Sequence, residues 1–209
     1  MKRLMIPMLA LGMAAGTASA LVVTEVEGND GLAAAMNIDS FFDLSHSPDI
    51  GDVVGNTSES IPHVTIVSLP GDATPDCYSF SVSAGDTVGW FDIDYGFWNA
   101  DGTGPDDMDA EITLYSAAGD WLDFDEDSFI EWGAGGSDST LDPLIGFDFV
   151  TPGTYVICVT SHGYDHVVVD GEYTLQVSIE GHSTVPDGGM TLALLSIGLL
   201  GLLGLERRK

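Results

Sequence analysis

The chain almost completely lacks basic residues. Of its 209 residues only five are Lys or Arg, and all five lie at the two ends, at Lys2 and Arg3 and at positions 207–209. All 33 acidic residues lie in between, 32 of them within residues 21–189, and the formal net charge is −28. Phosphate binding requires Lys or Arg, so this balance excludes nucleic acid as a partner. It also restricts salt bridges inside the fold to those made by histidine, and it makes divalent cations the obvious counter-charge.

Motifs for catalysis are missing as well. The five histidines do not have the His-Glu-x-x-His spacing of a zinc hydrolase, and no Gly-x-Ser-x-Gly nucleophile turn occurs. Carboxylate pairs suited to glycoside hydrolysis are expected by chance in so acidic a chain, and they carry no weight here. We therefore expect a protein without enzymatic activity.

Cysteine is scarce, since Cys77 and Cys158 are the only two in the chain. Both lie in predicted strands, and an oxidising compartment would allow a disulfide between neighbouring strands or between sheets. The alternative is a pair of buried free thiols.

The first 20 residues have the three parts of a secretory signal peptide. Lys2 and Arg3 precede an apolar run, and Ala18-Ser19-Ala20 has the small-x-small pattern of a cleavage site. There is no twin-arginine pair, so we expect the general secretory route. A retained membrane anchor is the alternative, although the run is short for a span.

A second apolar segment lies at residues 190–205. As a helix it would span about 24 Å, which is marginal for a bilayer core of about 30 Å. The basic residues behind it would keep the C-terminus in the cytoplasm. The motif in front of the segment is Val185-Pro186-Asp187-Gly188-Gly189, and the basic tail is Arg207, Arg208 and Lys209.

This order of motif, apolar helix and basic tail resembles the PEP-CTERM sorting signals of Gram-negative bacteria, in the variant class written Val-Pro-Asp-Ser-Gly. The resemblance implies that an exosortase, a membrane-embedded cysteine transpeptidase, recognises and cuts the chain. It also implies an inner-membrane intermediate, followed by delivery to the cell surface or extracellular matrix. The departure from Val-Pro-Glu-Pro leaves the cut position open, and a plain C-terminal anchor is the alternative.

Between the two ends, short β-rich runs separated by Gly, Pro, Asp and Ser predict an all-β fold, an antiparallel β-sandwich or jelly roll of about eight strands. The strongest runs cover residues 64–69, 77–83, 87–94, 111–115, 143–150, 155–160 and 172–179. We expect an acidic segment at 21–60 that packs on the domain, the sandwich at 61–181, a linker with the sorting motif at 182–189, the transmembrane helix at 190–205 and a tail at 206–209.

The ordered series of these runs resembles the bacterial pre-peptidase C-terminal domain. The resemblance spans most of residues 25–180 and implies a secreted β-sandwich that usually has no catalysis of its own. The matching pieces lie at 25–30, 62–66, 76–82, 84–87, 91–94, 112–115, 123–128, 153–155 and 171–175.

Calcium is the metal that the acidic side chains favour, because it takes six to eight oxygen ligands. Related collagen-binding modules of clostridial collagenases hold calcium with a Glu-x-Glu-x-Asn-Asp pattern, which residues 25–30 repeat. A weaker cluster lies further along, where an EF-hand is excluded because its sixth and twelfth positions are Ser128 and Ala134. The first candidate site comprises Glu25, Glu27, Asn29, Asp30, Asp72 and Asp76, and the second comprises Asp107, Asp109, Asp123, Asp125 and Asp127. A flexible acidic linker and a solvated acidic loop are the respective alternatives.

Two functions remain in competition. The first is a non-catalytic exported surface protein stabilised by calcium. The second is a calcium-dependent carbohydrate-binding module that retains exopolysaccharide, because Trp98, Trp121 and Trp132 fall near loops where they could stack on sugar rings. Packing in the core or at an edge is the alternative role for these side chains, as it is for Trp90.

Overall fold

Two five-stranded β-sheets face each other in the computed structural model of the chain. The structure describes residues 22–45, 60–68, 74–94, 109–128, 141–161 and 173–184. The strands within these ranges are β1 (Val22–Thr24), β2 (Met36–Asn37), β3 (His63–Val67), β4 (Asp76–Val82), β5 (Thr87–Asp94), β6 (Ala110–Ser116), β7 (Trp121–Asp125), β8 (Leu144–Phe149), β9 (Gly153–Ser161) and β10 (Thr174–Ile179). The first sheet has the order β1-β3-β10-β5-β8 and the second β2-β4-β9-β6-β7. A 3₁₀ turn at Asp39–Phe41 follows β2.

The all-β sandwich predicted from the sequence is confirmed. All seven of the strongest predicted runs coincide with strands, and the run at 87–94 has the bounds of β5. Three strands were not among those runs. β1 and β2 have only three and two residues, so alternation cannot show in them. They also pair in parallel with β3 and β4, whereas the other ladders are antiparallel as expected. The third, β7, contains two aspartates, a residue type that is depleted in strands.

Two of the predicted targeting segments lie outside the described residues. These are the signal peptide at 1–20 and the apolar helix at 190–205 with its basic tail. Over the parts of the chain that the structure describes, no helix has the length and apolar content that a membrane span requires.

Strand alternation places the large apolar side chains between the sheets. Phe80 of the second sheet meets Phe91 and Phe149 of the first, with ring centroids 5.3 and 5.9 Å apart. Leu175 and Val177 of β10 are fully buried in the same cluster. Burying one such side chain stabilises the fold by about 1.5–3 kcal/mol, which makes this aromatic and aliphatic layer the main support of the sandwich.

Cys77 and Cys158 form a disulfide. The two residues lie directly opposite each other in the β4–β9 ladder, with their Cα atoms 4.1 Å apart. They pack with Val156 on the outer face of the second sheet, away from the main core. Of the two arrangements predicted for a bridge, the cross-strand one is therefore found.

Histidine supplies polar contacts to carboxylates in this acidic fold. Nε2 of His182 lies 3.0 Å from Oδ1 of Asp39, and Nδ1 lies 2.9 Å from the carbonyl oxygen of Ser183. The ring stacks on Phe42, with centroids 3.9 Å apart. Although burial raises the pKa of Asp39, hydrogen bonds from Ser81 and His182 outweigh it and hold that pKa below its ordinary value. The contact fastens the segment after β10 to the turn after β2.

A glycine in the middle of β5 gives a sharp test of the packing between strands. A Cβ at Gly89 would lie 2.7 Å from Cε2 of Phe149 and 2.8 Å from Cδ1 of Ile179. Gly89→Ala is therefore expected to lower the free energy of unfolding by about 1–3 kcal/mol through overpacking. A Cβ at Gly146 of β8 would come no closer than 3.6 Å to Trp90, so Gly146→Ala is the matched control and should stay within about 0.5 kcal/mol of wild type. Denaturant unfolding of both variants checks this, and equal losses in the two would contradict the packing described.

Candidate metal centre

The segment after β1 carries the chain from the first sheet to the second. The amide of Glu25 donates to the carbonyl of Val67 in β3 at 3.0 Å, which extends the β1–β3 ladder. The chain then passes through Gly28, whose φ of 102° is a conformation that favours glycine. The carbonyl of Asn29 accepts from the amide of Cys77 in β4 at 3.1 Å. Glu25 and Asn29 therefore lie at one end of the sandwich, where the chain crosses between the sheets.

Glu25, Asn29 and Asp76 come together there and are almost completely buried, with exposed fractions of 3%, 1% and 4%. Nδ2 of Asn29 donates to Oε1 of Glu25 at 2.9 Å. Oη of Tyr173 donates to Oδ2 of Asp76 at 2.8 Å, and it lies 2.8 Å from Oη of Tyr78. Two carboxylates thus share a site that is closed to bulk water and lined by an amide and two phenols.

The buried acid pair has a strong electrostatic effect. Burial raises the pKa of Asp76 to about 8, and a hydrogen bond with Glu25 and the charge of that residue act in the same direction. The charge of Glu27 adds a smaller upward effect. Burial and the neighbouring carboxylates also raise the pKa of Tyr78 and Tyr173. Without a counter-charge, Asp76 therefore keeps a proton at neutral pH that an ordinary carboxyl group would have lost.

The donor set consists of oxygen atoms, which suits a hard cation such as Ca²⁺. Oδ1 of Asn29 is buried and has no hydrogen-bond partner among the described residues, so an acceptor is left over beside the two carboxylates. In the described part of the chain, no group of three or more His, Cys, Asp or Glu side chains is arranged around one metal position. A cation held by Glu25 and Asp76 would therefore need Asn29 and backbone or water oxygens as further ligands.

The other three residues predicted for this site have different positions. Glu27 is exposed and acts on Asp76 through its charge. Asp30 is also exposed, and its Oδ1 accepts a hydrogen bond from Oγ1 of Thr74 at 3.0 Å. Asp72 lies outside the described residues. The structure thus brings together half of the predicted set.

The second predicted cluster has oxygens that the fold already uses. Asp123 and Asp125 share one face of β7, as alternation predicts for an extended segment. Oδ2 of Asp125 accepts from the hydroxyl of Ser128 at 2.7 Å and from the amide of Leu144 at 2.8 Å, which ties β7 to β8. Oδ1 of Asp123 accepts from the amide of Phe124 at 2.9 Å. The remaining members are Asp109, which is half-buried, Asp127, which is exposed, and Asp107, which lies outside the described residues.

Sequence reasoning missed the two tyrosines of the site. Tyr78 follows Asp76 by two positions, and residues two apart in a strand lie on the same face, so this spacing was a usable signal. Tyr173 lies 97 residues after Asp76 in the chain, and no local pattern connects the two. Only the pairing of β10 with its neighbours brings Tyr173 to the site.

The tryptophans predicted for sugar stacking are only partly described. Trp121 lies in β7 and is 62% exposed. Trp90, whose packing the sequence left open, is half-buried in β5. Trp98 and Trp132 lie outside the described residues.

Comparison with known families gives two separate matches. Residues 74–161 match the bacterial pre-peptidase C-terminal (PPC) domain, and residues 184–209 match the VPDSG-CTERM motif. The chain thus carries a PPC domain and a VPDSG-CTERM motif. The predicted resemblances to the PPC domain and to the C-terminal sorting signal are therefore confirmed. The PPC match begins after Glu25 and Asn29. It therefore includes Asp76 of the acid pair but not Glu25.

A solved structure is also similar to this chain. It is the pre-peptidase C-terminal domain of a collagenase from Bacillus anthracis, with 16% sequence identity and a TM-score of 0.34. The similarity covers 56% of this chain and 87% of that domain. No curated protein sequence matches the chain. The VPDSG-CTERM match indicates an exported protein that is sorted at its C-terminus.

Proposed function

We propose that this chain is a non-catalytic protein of the cell surface or extracellular matrix, and that an exosortase-type transpeptidase processes its C-terminus. The observation that carries the proposal is the VPDSG-CTERM match over residues 184–209. The signal-peptide pattern at the other end supports general secretion followed by an inner-membrane intermediate. A Gram-negative host agrees with this arrangement.

The second part of the proposal is that calcium stabilises the PPC domain. Glu25, Asp76 and the leftover oxygen of Asn29 would hold the ion, and Glu27 would add negative charge from the surface. The ion would supply the positive charge that the buried carboxylates lack. Because Glu25 follows a strand of the first sheet and Asp76 begins a strand of the second, the ion would link the two sheets.

A buried acid with a raised pKa is also a feature of catalytic sites, and this possibility needs to be weighed. General acid–base catalysis requires the group to reach a substrate. Glu25 and Asp76 are 3% and 4% exposed, and Asn29 and Tyr173 hold them by hydrogen bonds. These features favour a structural cation site over a catalytic one.

The sorting proposal predicts the two ends of the mature protein. Intact-mass analysis of the surface fraction should find a chain that begins at Leu21 and ends within or next to residues 185–189. Replacing Val185, Pro186 and Asp187 by alanine should leave full-length chain in the membrane fraction. The matched control is Ser183→Ala, which changes an exposed residue just before the matched segment and should not prevent processing. Residues 190–209 still attached in the surface fraction would overturn the proposal.

A further inference from the structure

An open groove crosses the outer face of the second sheet. Its volume is about 610 Å³. The disulfide lies in its lining, and Leu32 and Pro75 line it from the neighbouring loops. A Cβ at Gly119 would lie 3.4 Å from Cδ1 of Leu32, so Leu32 reaches as far as the turn between β6 and β7. The groove is distinct from the acid pair, which lies at one end of the sandwich.

One end of the groove is aromatic. Trp121 pairs with Tyr115 across the β6–β7 ladder, and both line the groove together with Phe124. The next residue in β7, Leu122, packs against the core instead. Trp121 is 62% exposed, so most of its indole is not used in packing the fold. A large exposed aromatic surface beside a concave site is typical of a ligand contact.

The other end of the groove is polar. Glu111 and Thr160 lie opposite each other in the β6–β9 ladder, and both line the groove. Glu111 is buried, with an exposed fraction of 6%. Oγ1 of Thr160 is also buried, and it has no hydrogen-bond partner among the described residues. Tyr115 lies four positions after Glu111 along β6, so the two ends lie about 13 Å apart at about 3.3 Å per residue.

The chemistry of the groove restricts its occupant. The interior of the chain has no Lys or Arg, so an anionic polymer would find no counter-charge. The groove lies on the face of the sheet rather than along its β7 edge, so an extended peptide in the groove would find few backbone partners. A sugar ring has an apolar C–H face that can stack on an aromatic ring and hydroxyl groups at its rim that can bond to a carboxylate or a threonine. Of these three ligand classes, the uncharged sugar chain is the one whose groups match both the aromatic end and the polar end of the groove.

We propose that this groove binds a neutral glycan chain, with one sugar ring stacked on Trp121 and Tyr115 and another bonded to Glu111 and Thr160. The inference does not depend on how the chain is sorted. It touches the proposed calcium site through Gly31 and Leu32, which follow Asp30, and through Pro75 and Cys77, which flank Asp76. Binding is therefore measured with calcium present, so that a failure of the metal proposal cannot be mistaken for a failure of this one.

The test is a titration of the full chain, held in a detergent without a sugar headgroup, with laminarin, dextran and galactomannan as neutral probes. Tryptophan fluorescence and affinity electrophoresis report binding. At least one probe should bind, and Trp121→Ala should weaken that binding by about tenfold or more, because the variant loses both the ring stacking and the buried apolar contact. Val150→Ala removes a side chain that is 75% exposed and does not line the groove, so it is the matched control and should bind as wild type does.

A second variant separates ligand binding from folding. Thr160→Val keeps the shape of the side chain but removes its hydroxyl. Because that hydroxyl has no partner among the described residues, the melting temperature should stay the same or rise, while glycan affinity should fall severalfold. The proposal is overturned if none of the three probes binds or if Trp121→Ala binds as tightly as wild type. It is equally overturned if polygalacturonate or polylysine binds in the groove in preference to them.

Discussion

Removal of calcium with a chelator at pH 8 is expected to lower the melting temperature of the protein by about 5–10 °C. A ligand present at about 100 times its Kd stabilises the folded state by about 2.7 kcal/mol. In a domain of this size, 1 kcal/mol corresponds to about 2–4 °C. The expected shift follows from the two buried carboxylates, Glu25 and Asp76, which repel each other when no cation lies between them. Thermal unfolding with added calcium and with chelator measures it.

The dependence on pH follows from the raised pKa of Asp76. In the unfolded chain this group titrates near its ordinary value of 3.8, and in the folded protein near 8. Between these values the folded state holds a proton that the unfolded state has released, so the stability of the calcium-free protein falls as pH rises from about 4 to about 8. The fall is at most on the order of 6 kcal/mol, because the pKa of Asp76 differs by about four units between the two states and one unit corresponds to about 1.4 kcal/mol. Calcium should remove most of this dependence, since it takes the place of the proton.

Two substitutions distinguish this site from general screening of an acidic protein. Asp76→Asn removes a charge at the buried site, and it should abolish both the response to calcium and the pH dependence. Asp30→Asn removes a charge from the exposed part of the same segment and should leave both effects in place. An equal response to calcium in wild type and in Asp76→Asn would show that the ion acts elsewhere.

Loss of the disulfide is expected to have the second large effect. Replacing both Cys77 and Cys158 by alanine should lower the free energy of unfolding by about 4 kcal/mol. The bridge closes a loop with a sequence separation of 81, and in the chain-entropy model a loop of that length restricts the unfolded chain by about this amount. Chemical denaturation monitored by tryptophan fluorescence gives the value directly.

The stability lost by removing side-chain volume has to be separated from the stability lost with the bridge. Replacing both cysteines by valine fills the space on the outer face of the sheet but forms no bond, so it should lose nearly as much stability as the alanine pair. Wild-type protein reduced in denaturant and refolded under reducing conditions should match the valine pair. A loss below about 1 kcal/mol in all three cases would mean that the bridge contributes little to this fold.

The larger strands were predictable because each has enough residues to show alternation. The run at 87–94 became β5 with the same bounds, and the run at 172–179 contains β10, whose apolar side chains are buried together. β1 and β2 could not be found in this way, because two or three residues have no measurable period. Their pairing depends on where the acidic segment crosses the sandwich, and that is a property of the tertiary fold.

Part of the candidate site was also predictable, because a local sequence pattern can connect residues that are close together in the chain. Asn29 and Glu25 are close in sequence, so a local pattern could place them together. Asp76 was included through a family resemblance, and the structure buries it beside them. The burial itself could not be predicted, although it is what gives Asp76 its raised pKa. It depends on Tyr173, which contacts Asp76 across 97 residues of chain.

The position of β10 has a mechanical consequence. This strand ends next to the His182–Asp39 contact, beyond which the chain continues towards the sorting motif. β10 lies in the middle of its sheet and pairs with β3 on one side and β5 on the other. Tension applied through the C-terminal end therefore runs along β10 and loads both ladders in shear, so their hydrogen bonds must yield together. Had the chain left from an edge strand such as β8, the same force would peel the bonds apart one at a time.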